Sequence, residues 1–164
     1  ALVDSGAEMT LVDPGLAAEA ALGGGTAAEA RGTGAGTQSA RLVEGVTLGA
    51  LGRSLGKATV AVIDLADIAK RVIGRPTRLI LGREFFDSGR VRIDLQGRTI
   101  RFLEPSAPPR GVVLPLTAHK GIETIPVTVG GVATLAELDF GNGSEPIVSR
   151  GLAMRLGLRA VGTR

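Results

Sequence analysis

Ala1-Leu2-Val3-Asp4-Ser5-Gly6-Ala7-Glu8-Met9-Thr10-Leu11-Val12 is the stretch on which the fold turns. An apolar run leads into an acid, a glycine-containing turn follows, and a second apolar run leaves it. The pattern predicts two short buried strands with Asp4 on the turn between them. A carboxylate in such a place is costly unless it is paired, hydrogen-bonded or protonated, so Asp4 calls for a chemical explanation. An ordinary hairpin turn is the simpler alternative, because Asp, Ser and Gly are common turn residues. The chain carries its own control: Asp87-Ser88-Gly89 repeats the triplet after Phe85-Phe86 and before the charged, alternating Arg90-Val91-Arg92. The triplet alone therefore identifies no site.

Outward from this stretch, Asp13-Pro14 reads as a helix start, with Asp13 as N-cap, residues 16–22 helical and Gly23-Gly24-Gly25 as the stop. Residues 27–46, with Gly32, Gly34 and Gly36 at their centre, read as a hairpin with a glycine-rich tip. A phosphate-cradling loop does not fit, since the glycines lack the G-x-G-x-x-G spacing and Gly56-Lys57 is followed by Ala58. Residues 57–63 read as a strand, and residues 64–72 as one or two helical turns. Leu79-Ile80-Leu81-Gly82 has no alternation, which predicts a strand buried on both faces, with a short helix over residues 83–86 leaving it. Asp87-Ser88-Gly89 then reads as the leading turn of a hairpin in which Val91, Ile93 and Leu95 alternate, Gln96-Gly97 turns, and Ile100 and Phe102 return.

A Pro-rich connector over residues 105–111 divides the chain into a first unit, 1–104, and a second, 112–164. In the second unit, residues 122–129 form a strand, Gly130-Gly131 a tight turn, and residues 132–138 a return strand that runs into Asp139-Phe140-Gly141-Asn142. Ser149 then caps a helix that Gly157 stops. The beginning of the chain is repeated here. Leu16-Ala17 matches Leu152-Ala153, Leu22-Gly23 matches Leu156-Gly157, and Asp4 and Asp139 each end an apolar strand just before a glycine turn.

Composition narrows the chemistry. With 164 residues and 44% hydrophobic content the chain has enough apolar mass for a globular core, and no apolar run reaches the roughly 18 residues of a membrane-spanning helix. There is no Trp or Tyr and only four Phe, so base stacking on nucleic acid has little support. The net charge of +3 and pI near 10.2 come mostly from arginines scattered along the chain, a pattern unlike a nucleic-acid or membrane patch. The absence of Cys removes thiol nucleophiles and cysteine-ligated metals. The single His119, in a polar stretch that reads as a solvated loop, leaves no basis for a serine–histidine triad. Asp139-Phe140-Gly141 matches the metal-binding triplet of protein kinases, but no glycine loop, lysine strand or catalytic loop accompanies it.

These residues resemble the retropepsin-like and pepsin-like aspartic proteases, above all bacterial single-chain forms with two retroviral-type lobes, over nearly the whole chain. In that family each lobe supplies an apolar-Asp-Thr/Ser-Gly-Ala loop, backed by an apolar-apolar-Gly strand. Leu2-Val3-Asp4-Ser5-Gly6-Ala7 matches the first element, Ile80-Leu81-Gly82 the second, and the hairpin around Gly32, Gly34 and Gly36 lies where the family has its flap. The resemblance implies a mainly β, pseudo-two-fold acid protease barrel, with one nearly complete lobe that lacks its first strand (1–104) and the N-terminal half of a second (112–164).

It further implies an aspartic endopeptidase whose catalytic residues are Asp4 and Asp139, with Ser5, Gly6, Ala7, Gly82 and Gly141 supporting the loops. Gly32, Gly34 and Gly36 would form the substrate-binding flap, the substrate would be an extended peptide or protein, and neither metal nor cofactor would be required. One departure stands out. The family places Thr or Ser after the Asp, where its hydroxyl hydrogen-bonds across to the opposite loop; Ser5 can do this and Phe140 cannot. A catalytically impaired protease-fold module that binds peptides or dimerises is therefore the alternative, and a homodimer joining two Asp4 loops is the alternative source of a carboxylate pair.

Overall fold

The computed structural model describes residues 1–31, 37–108, 111–119, 122–143 and 145–162. The chain is mainly β, with 40% strand and 16% helix. Strands β1 (Leu2–Val3), β2 (Leu11–Val12), β3 (Thr26–Arg31), β4 (Thr37–Ala50), β5 (Arg53–Val62) and β6 (Leu79–Leu81) form one sheet, curled into a half-barrel, in the order β1-β6-β2-β5-β4-β3. A hairpin of β7 (Val91–Asp94) and β8 (Thr99–Phe102) follows. The remaining strands, β9 (Thr117–His119), β10 (Ile122–Val129) and β11 (Val132–Glu137), form a three-stranded antiparallel sheet in the order β11-β10-β9.

The unbroken apolar run Leu79-Ile80-Leu81 sits where its composition requires, between two strands and away from water. β6 pairs in parallel with β1, Leu2 opposite Ile80 and Val3 opposite Leu81, and antiparallel with β2, Leu11 again opposite Ile80. Ile80 is 1% exposed. It packs with buried Ile63 and Leu65, against Leu2 and Leu11. A second cluster, Val12, Ala17, Val43, Leu48, Val60 and Val62, fills the curl between the long β4–β5 hairpin and the first helix. Burial of this aliphatic surface is the main driving force for the fold of a chain so poor in aromatics.

Among the described residues there are four short helices: α1 (Pro14–Glu19), α2 (Ala66–Ile68), which continues as a π-turn over Ala69–Ile73, α3 (Arg83–Asp87) and α4 (Arg150–Arg155). Asp13 caps α1 by accepting from the Gly15 amide at 2.9 Å, and Ser149 caps α4 by accepting from the Leu152 amide at 3.2 Å. Helix α1 ends three residues earlier than the sequence suggests. Ala21 adopts a φ of 51°, outside the right-handed helical region, which turns Leu22 back against the aliphatic cluster.

One further expectation is corrected. Thr117–His119 is not a loop but strand β9, paired with β10 through Ile122 opposite His119 and Thr124 opposite Thr117. Thr124 is buried and its hydroxyl donates to the Thr117 carbonyl at 2.7 Å, which holds the polar strand in the sheet. Asp87-Ser88-Gly89, the turn leading into the β7–β8 hairpin, is also the end of α3: the Ser88 hydroxyl donates to the Phe85 carbonyl at 2.8 Å, capping the helix. Among the described residues no helix is long and apolar enough to cross a membrane.

Candidate functional site

Two acidic turns, far apart in sequence, face each other. The first leaves β1: the Asp4 amide donates to the Leu81 carbonyl at 2.9 Å, which seats the turn on the end of β6. The second leaves β11, where the Leu138 amide donates to the Glu123 carbonyl at 3.1 Å. Each turn bends the same way. The Gly6 amide donates to Asp4 Oδ1 at 2.8 Å, and the Gly141 amide donates to Asp139 Oδ1 at 2.7 Å. Such i to i+2 bonds are the ordinary Asx-turn device, here built twice.

The opposite carboxylate fills the space beside each turn's glycine, more tightly at Gly141 than at Gly6. A Cβ on Gly6 would stand 3.0 Å from the Asp139 carboxyl carbon, and a Cβ on Gly141 would overlap the Asp4 carboxyl group, with Oδ2 at 2.6 Å. Each turn therefore presents bare backbone to the other's acid, which brings Asp4 and Asp139 into hydrogen-bonding contact. Ser5 ties the turns together: its Oγ donates to the Leu138 carbonyl at 2.5 Å and accepts from the Phe140 amide at 2.9 Å. Phe140 has no hydroxyl to return the bond. Its ring stacks instead on Phe86 of α3, with centroids 6.0 Å apart and planes 15° from parallel.

The electrostatics follow from this packing. Asp4 is half-buried and its carboxyl is raised above the ordinary 3.8, chiefly by burial; the Gly6 amide bond opposes the rise, and the charge and hydrogen bond of Asp139 add to it. Asp139 is exposed. The two acids thus have different surroundings, one half-buried and the other exposed.

Behind the first turn, Gly82 permits a close approach. A Cβ there would lie 2.6 Å from the Met9 carbonyl oxygen and 2.9 Å from that of Ala7, so the segment after the Asp4 turn packs directly on the end of β6. Thr10, fully buried, locks this contact: its hydroxyl accepts from the Gly82 amide at 3.2 Å and donates to Glu84 at 3.0 Å, while its amide donates to the other Glu84 oxygen at 3.2 Å. Arg83 completes the support. Its amide donates to the Ala7 carbonyl at 3.1 Å, and its guanidinium pairs with Glu123 of β10 at 3.3 Å.

The structure thus gathers Asp4, Ser5, Gly6, Ala7, Gly82, Asp139 and Gly141 around one point. The glycine-rich tip, Gly32, Gly34 and Gly36, lies outside the described residues; β3 and β4 below it pair antiparallel up to Arg31 opposite Thr37. Thr10, Glu84 and Phe86 were not singled out from sequence. A threonine within the apolar run Met9 to Val12 and a glutamate in the first turn of a helix were the available signals, and only their meeting in space gives them meaning. Two surface clefts, of about 420 and 580 Å³, lie elsewhere, one beside α1 and Arg41 and the other beside β8 and Arg53. Neither is lined by Asp4 or Asp139. In comparisons with known proteins, no protein-family model and no curated protein matches the chain.

Proposed function

We propose that this chain forms the catalytic site of an aspartic endopeptidase of the retropepsin-like and pepsin-like type, with Asp4 and Asp139 as its dyad. The observation that carries the reading is the reciprocal packing of the turns, in which each glycine makes room for the opposite carboxyl and the two acids hydrogen-bond. Like charges this close do not both ionise easily, so the pair holds one proton between them. In the reaction, the ionised carboxylate takes a proton from water as the water oxygen bonds to the peptide carbonyl carbon. The protonated partner gives its proton to the carbonyl oxygen, and a tetrahedral diol results. Collapse of the diol breaks the C–N bond, with one proton passing to the departing amine and another returning to the pair.

Ser5 and the Gly6 and Gly141 amides hold the carboxyls in register, and the β3–β4 hairpin would supply the flap against which an extended peptide adds as a strand. Contact between Asp4 and Asp139 of one chain favours an intrachain dyad over a homodimer joining two Asp4 turns. The missing hydroxyl at Phe140 favours a second reading, a protease-fold module that binds peptide without cleaving it.

A mixed peptide library incubated with the full-length protein from about pH 3 to pH 8, beside Asp4→Asn, separates the two. Cleavage by the native protein that disappears in Asp4→Asn is the expected outcome. Cleavage that survives the substitution sinks the dyad, and binding without cleavage by either form establishes the module.

A further inference from the structure

Helix α3 touches both acidic turns. At its start the Arg83 amide bonds to the Ala7 carbonyl, beside the Asp4 turn, and near its end Phe86 stacks on Phe140 of the Asp139 turn. Phe86 is itself held edge-on by Phe85, with centroids 5.4 Å apart and planes at 89°, and Phe85 is 1% exposed. Phe85 leans in turn on Phe102 of β8 at 5.2 Å, and Arg53 lies over the far ring at 5.2 Å. All four phenylalanines of the chain thus form one continuous run from the core to the second acidic turn. Stacked and edge-on rings at these separations attract beyond their burial, and a rigid ring transmits position better than a flexible side chain.

We propose that Phe86 is a positioning residue for the carboxylate pair: by stacking on Phe140 it holds the Asp139 turn against the Asp4 turn, in place of the absent reciprocal hydroxyl. This rests on the dyad reading above. The two turns then have unlike cross-links, a hydroxyl from Ser5 on one side and an aromatic clamp on the other. Phe140 sits 44% exposed, so the clamp works at the rim of the site, and α3 serves as the common platform that sets the distance between the acids. Besides burial, the influences on Asp4 among the described residues are Asp139 and the amides of Gly6 and Ala7; of these, only Asp139 belongs to the clamped turn.

The test is a residue-specific titration of Asp4 by carbon-detected NMR in the full-length protein, for the native chain, Phe86→Leu, Phe140→Ala and Phe140→Tyr. Native Asp4 should titrate above 3.8. Phe86→Leu and Phe140→Ala should each move it down towards that ordinary value as Asp139 draws away, and Phe140→Tyr, which keeps the ring, should leave it in place. Where cleavage is measurable, the first two variants should lose roughly 10- to 100-fold in kcat with KM little changed. An Asp4 titration unaltered in both Phe86→Leu and Phe140→Ala overturns the clamp. A native Asp4 titrating at its ordinary value overturns the pair and the clamp with it. Titrations as expected from a protein that cleaves no peptide uphold the clamp and remove only the endopeptidase reading.

Discussion

Ser5 places two cross-turn hydrogen bonds on a single oxygen, while Phe140, which follows Asp139 as Ser5 follows Asp4, answers with a ring. Removing the hydroxyl leaves the Leu138 carbonyl and the Phe140 amide without their partner. Ser5→Ala should therefore cost about 1–2 kcal/mol, read as a lower denaturant midpoint, and Ser5→Thr should restore it. An unchanged midpoint in Ser5→Ala would show that the turns are held by other contacts. The glycines differ in the same residue-level way. An added Cβ at Gly141 overlaps the Asp4 carboxyl, whereas at Gly6 it only crowds Asp139 at 3.0–3.2 Å. Gly141→Ala should abolish any peptide cleavage by displacing Asp4, and Gly6→Ala should reduce it less; the reverse order in an initial-rate assay would contradict the geometry. The turn at Asp4 could be anticipated from the apolar lead-in and the following glycine, and the cross-turn bond of Ser5 from the resemblance to the aspartic proteases. The role of Phe140 could not, because a sequence shows that a hydroxyl is missing and says nothing of which ring stands beside it.

At the scale of elements, the junction of β2, β6 and α3 is the support on which the first acid rests. Thr10 is its pivot, accepting from the Gly82 amide and donating to Glu84 in a fully buried setting. Thr10→Val preserves shape but leaves a buried amide and a carboxylate oxygen short of a partner. The expected cost is about 1–3 kcal/mol, measured by chemical denaturation, against less than about 0.5 kcal/mol for an exposed Thr99→Val control. Equal effects at the two positions would remove Thr10 from the support. Elements with strong local signals, among them the capped α1 and α4, the β7–β8 and β10–β11 hairpins and the doubly buried β6, were legible because side-chain period, caps and turn glycines act within a few residues. Strand β9 was not, since Thr117-Ala118-His119 has no apolar alternation and becomes a strand only because β10 offers it an edge.

For the whole molecule, the raised Asp4 carboxyl makes stability depend on pH in a definite direction. A carboxyl whose folded value lies above 3.8 binds its proton more tightly when folded, so its contribution is fully present below 3.8 and is lost as pH rises through the folded value. Thermal melts of the native protein and Asp4→Asn should therefore diverge as pH increases across that window, with the native protein losing ground relative to the variant. Parallel curves would mean that folding does not perturb Asp4. What the sequence by itself determined was the order of most elements, the doubly buried strand and the two glycine turns that carry Asp4 and Asp139. These follow from local pattern, which needs no coordinates. What only the tertiary structure decided was the meeting of the two turns, the glycines that make room for opposite acids, the Thr10–Glu84 support and the aromatic run that ends on Phe140. Those depend on contacts between residues as many as 135 positions apart, made only in the folded chain by the Ser5 hydrogen bonds, the Arg83–Glu123 pair and the Phe86–Phe140 stack.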